Sequence, residues 1–110
     1  MLRACGVALF LSVLLPGSAM ADRIETAECL RDLAVAGQLV DGIAQRENSV
    51  GLGDFAGFCA LLRRNLPEMI EARDIMDRCL TGHAHSENVG QMDVSIDDIR
   101  YALAVRCGGR

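Results

Sequence analysis

Apolar residues recur along most of this chain at intervals of three and four, the period at which side chains return to one side of a helix. Between Asp22 and Arg46 they are Cys29, Leu33, Ala36, Val40 and Ile43, while Arg31, Asp32, Gln38, Asp41 and Gln45 fall elsewhere. The pattern predicts a first amphipathic helix. Asp22 and Glu25 have the spacing of a capping box, and Glu25 and Glu28 suit the positive end of a helix dipole. Gly37 and Gly42 predict a close helix contact or a bend, since glycine weakens a helix interior.

After the loop Asn48–Gly53, Asp54 is placed to cap a second helix in which Phe55, Phe58, Cys59 and Leu62 share a face. Arg63 and Arg64 would then oppose the negative end of its dipole. Asn65-Leu66-Pro67 reads as punctuation, with Pro67 in the first turn of a third helix, where a missing N–H costs nothing. Met69, Ala72, Met76 and Cys79 form that helix's stripe, and Gly82 ends it. Residues 81–93 are polar, carry both histidines, and read as a long connecting loop. Ser95 and Asp98 mark the start of a fourth helix, with Ile96, Ile99, Leu103 and Cys107 on one side. The expected fold is all-α: a small bundle of about four short helices forming one domain over residues 22–110.

The first 21 residues differ from the rest. Met1-Leu2-Arg3 precedes an apolar run from Ala4 to Leu15, a break at Pro16-Gly17, and the triplet Ala19-Met20-Ala21. A charged start, an apolar stretch and an A-x-A site, in that order, are the features of a cleavable secretory signal. The apolar run is well short of the roughly 20 residues needed to cross a bilayer. Cys5 precedes this run, so it is not placed as a lipoprotein anchor. The expected product is an exported chain beginning near Asp22, with no membrane anchor.

Cleavage would also remove Cys5 and leave an even set: Cys29, Cys59, Cys79 and Cys107. In a short exported domain this parity predicts two disulfides, which small cores need most. The wide spacings exclude the close cysteine pairs of a structural zinc site. Each predicted helix places one cysteine on its apolar stripe, so the cross-links should staple helix to helix. An up-down-up-down bundle brings Cys29 level with Cys107 and leaves Cys59 for Cys79, although those two would differ in height by roughly 6–8 Å. Cys29–Cys79 with Cys59–Cys107 is a live alternative, and the sequence alone does not choose among the three connectivities that four cysteines allow.

Without the leader, ten arginines face fifteen carboxylates, a net charge near −5 with both histidines neutral. No basic run is present to attract nucleic acid or anionic lipid. Every basic residue is arginine and none is lysine, which fits a GC-rich bacterial coding sequence and hence a periplasmic or secreted destination.

The chain offers little for catalysis. Glu68, Glu71, Asp74 and Asp77 follow at intervals of three, with no sign of the burial that raises a catalytic pKa. There is no nucleophile elbow, and Gly51 and Gly53 are too closely spaced for a phosphate loop. No cofactor is expected. Cys79, His83, His85 and Met92 contain ligand types suited to copper or zinc, but a disulfide at Cys79 would leave mainly His83, His85 and Met92. Met69 and Met76 fall on their helix stripe and read as core, whereas Met92 reads as exposed. Tyr101 lies off the Ile99/Leu103 stripe and is a candidate contact residue.

A signal, an acidic chain of about ninety residues, short helices, and the cysteines Cys29 and Cys79 about fifty apart make a layout similar to that of the acid-stress periplasmic chaperones of the HdeA/HdeB type. The similarity is architectural and covers no motif; Cys59 and Cys107 are additional. It implies that Cys29 and Cys79 correspond to the chaperones' pair, and it implies non-catalytic binding of other exported proteins, a role shared by inhibitors and immunity proteins. The expectation is therefore an exported, non-enzymatic interaction protein. Glu68, Glu71, Asp74, Asp77 and Tyr101 are its candidate contacts, and a small metal-binding protein using His83 and His85 is the alternative.

Overall fold

A computed structural model describes residues 22–108. The expected secretory leader, residues 1–21, lies outside them. Among the described residues the fold is all-α, with two disulfides and three long helices: α1 (Ala27–Ser49), α2 (Phe55–Cys79) and α3 (Gly82–Val105). Both α1 and α3 pack on α2, with no close backbone approach to each other.

The first expected helix forms, but with a different cap. Thr26 accepts from the Cys29 N–H at 3.1 Å, while the carbonyl of Asp22 accepts from the Thr81 N–H at 2.8 Å. Residues 22–25 are thus held across the α2–α3 turn, and Arg23 forms an isolated bridge with Leu80. A β-carbon on Gly37 would meet nothing, so no close helix contact requires that glycine.

The second and third expected helices are a single rod. Pro67 lies inside α2 and is exposed, on the side of the helix away from the core. An interior proline costs about 3 kcal/mol. Against that, Leu62, Asn65, Met69 and Ala72 keep the core spacing through the proline, and each end of α2 is tied by a disulfide. Packing outweighs the local break.

The polar segment 81–93 is the start of α3 rather than a loop. Leu80 and Thr81 are extended, and Gly82 adopts a φ of +57°, a left-handed conformation that lets the chain reverse within a few residues. Beyond it Val89, Met92, Ile96, Ile99 and Leu103 continue one core seam at steps of three and four. Ser95 and Asp98, read as a helix start, lie in the middle of this helix. Two apolar residues at the right phase, Val89 and Met92, outweigh eleven other residues of largely polar character.

The fused helix also decides the disulfides. Cys59 and Cys79 sit twenty residues apart on one rod, about 30 Å at 1.5 Å per residue, so they cannot pair. Cys29 bonds to Cys79 and Cys59 to Cys107, with Cα–Cα distances of 5.4 and 5.8 Å. The core falls into two adjoining clusters, one around Ala36, Ala72 and Cys79, the other around Ile43, Met69 and Ile99, and Met92 packs against both. Among the described residues one polar side chain, Asn65, is fully buried. Asn65 Oδ1 accepts from Arg46 Nε at 3.0 Å, and Arg46 also pairs with Glu68.

Candidate functional site

The four carboxylates read as one acidic face do not form one. Steps of three residues rotate backwards around a helix by about 60° each, so nine residues amount to half a turn. Glu68 therefore turns toward α1, where it pairs with Arg46, and Asp77 turns toward α3, where His85 Nε2 donates to its Oδ1 at 2.8 Å. Between them, Glu71 is exposed with no ion pair among the described residues, and Asp74 meets Arg73 at 3.4 Å. Arg73 reaches across to Asp93 at 2.9 Å. The hydrogen bond from His85, reinforced by the charge of Arg73, holds the Asp77 carboxyl below the ordinary value of 3.8. These groups mainly join helices.

The histidines likewise diverge. His83 Nε2 lies 3.1 Å from Glu87 on its own helix, while His85 faces α2. Met92, expected to be exposed, is half-buried two turns further along and packs into both core clusters. All four described cysteines are in disulfides, which removes their thiolates as ligands. Among the described residues no group of three or more His, Cys, Asp and Glu is arranged to hold a metal ion.

An apolar concavity lies at the opposite end, around the turn between α1 and α2. It encloses about 470 Å³ and is lined by Val50, Leu52, Phe55, Phe58, Leu61 and Leu62, among others. Its local structure follows from the sequence. Gly53 at φ +86° allows the tight turn, which is closed by the Asp54 N–H donating to the Gly51 carbonyl. Asp54 then caps α2 by accepting from the Gly57 N–H at 2.9 Å. A β-carbon at position 57 would lie 2.2 Å from the Asp54 carboxylate, so glycine makes room for the cap.

This turn leaves Leu52 fully exposed and Phe55 more than half exposed. The helical period places Phe55 beside Phe58 and Leu62 but does not tell which members of a stripe are covered. The legible signal was Leu52 itself: a large apolar side chain between two glycines, at a turn tip away from its neighbours' core stripes. Tyr101, the remaining sequence candidate, is exposed on α3 and is not part of this concavity.

Among the described residues no helix is long and apolar enough to cross a membrane. Compared with known protein families, curated proteins and solved structures, the chain matches none.

Proposed function

We propose that this is an exported, non-enzymatic interaction protein of the bacterial periplasm, which binds another exported protein in the manner of a chaperone, inhibitor or immunity protein. The observation that carries this reading is the uncovered apolar concavity around Leu52 and Phe55. Such surface is costly to leave in water, and a concave apolar patch with a few polar groups at its edge is where partners and ligands bind. Glu47 and Asp54 are the charged residues of its lining. The disulfides hold the helices that frame it, so little ordering entropy remains to oppose binding. The signal-like leader and the two disulfides support export.

The test is site-specific photo-crosslinking in the exporting host. A photoreactive residue in place of Leu52 or Phe55 should give a discrete adduct with one exported protein, and one in place of exposed Asp41 should not. No adduct from either groove position would remove the concavity as a binding site.

A further inference from the structure

We propose that the outward face of α3 is a second docking surface, fitted to a cationic amphipathic helix of another protein. The proposal rests on the reading of this protein as an interaction module but uses a surface separate from the concavity. Because residues 82–105 form one continuous helix, Val94, Tyr101 and Val105 are brought into register. At 100° per residue they fall within about 40° of one another, on the side roughly opposite the Ile96, Ile99 and Leu103 seam. They are 61%, 65% and 60% exposed, so this helix carries apolar residues on both its packed and its unpacked face.

Charge selects the occupant. Glu87 lies along the stripe, Asp98 at its edge at a height between Val94 and Tyr101, and Asp97 beside its other edge. Asp97 and Asp98 have no ion pair among the described residues, and Glu87 meets only His83, on its own helix. Arg100 and Arg106 project about a third of a turn away. A second copy docking the same face would bring these carboxylates against each other. A helix with apolar residues at steps of three and four, flanked by lysine or arginine, would cover the stripe and neutralise its edge. Tyr101 is the natural anchor, large and rigid with a polar tip.

The test titrates the exported chain against a labelled amphipathic helix of about 18 residues built from Leu and Lys, long enough to span the stripe, and against its Leu/Glu counterpart. Saturable binding of the Leu/Lys helix is expected. It should weaken at least about tenfold with Tyr101→Asp, as for a central aromatic anchor, and with Asp97→Lys and Asp98→Lys together. It should be unchanged by Leu52→Asp. Val94→Asp provides the same test should Tyr101→Asp lose helicity. Equal binding of the two peptides, or binding indifferent to both stripe variants, would overturn the proposal. So would a Tyr101-dependent self-association, or Tyr101-dependent binding to anionic vesicles, without peptide binding. Loss of the Leu52 crosslink with peptide binding intact would reject the concavity and leave this surface standing.

Discussion

The two ends of the helical rod are finished in different ways. At the Cys29–Cys79 end, the chain before α1 crosses the α2–α3 turn through Ile24 N–H to Cys79 carbonyl and Thr81 N–H to Asp22 carbonyl hydrogen bonds, both 2.8 Å. Arg78 reaches Asp32 at 2.8 Å and His85 reaches Asp77, so polar groups there are spent on joining elements. At the other end, Cys59–Cys107 ties α2 to the residues after α3, but none of the described residues crosses the α1–α2 turn, and among them Leu52 and Phe55 stand uncovered. The same scaffold thus has one end closed by contacts and one end presenting apolar surface. Contacts that fasten a fold and surface that serves a partner are separated along it.

The largest expected effect distinguishes the two disulfides. They close loops of nearly equal length, with sequence separations of 50 and 48, so each should restrict the unfolded chain by about 4 kcal/mol. Their native surroundings differ. Cys79 is fully buried, Cys29 and Cys59 nearly so, and only Cys107 of the four is half-buried. Replacing Cys29 and Cys79 by alanine should therefore lower stability more than replacing Cys59 and Cys107, because a cavity adds to the lost constraint. Urea unfolding of the two double variants measures the order. Equal losses would mean that the closed end owes nothing extra to its packing.

How much of this was legible follows the same division. The apolar stripes of α1 and of the later part of α3 were readable, because each is an unbroken run at helical spacing. Asp54 as a cap and the all-α class with two disulfides were readable for the same local reasons. The continuity of α2 through Pro67 was not, since a local break was outweighed by core contacts and cross-links distant in sequence. That one misreading changed the helix count and left the wrong disulfide pairing in view. Glu68 to Asp77 looked like one face because a spacing of three is close to, but not equal to, the helical repeat.

A smaller effect probes the polar clamp. Asp77 is held below its ordinary pKa by its hydrogen bond from His85 and by Arg73. A carboxyl depressed in the folded state contributes stability that is present above its unfolded value, near 3.8, and lost as the pH falls through the folded value. Asp77→Asn should flatten the acid side of the stability profile below about pH 4. The effect should be slight beside that of either disulfide, because the pair is solvent-exposed. A profile identical to that of the unaltered protein would show that this pair does not stabilise the closed end.

The smallest expected effect is the sharpest on the open end. Leu52→Asp should change stability by no more than about 0.5 kcal/mol, because a side chain with no burial loses no packing when replaced. At Ile75 or Met69, buried in α2, the same replacement would place a charge inside the core and unfold the domain. The comparison therefore turns on a null result in urea unfolding set beside a loss of the crosslinked adduct. A destabilised Leu52→Asp protein would mean that Leu52 is buried in solution, by its own chain or by a second copy. The apolar surface would then be part of what holds the molecule together, and the contrast between its two ends would disappear.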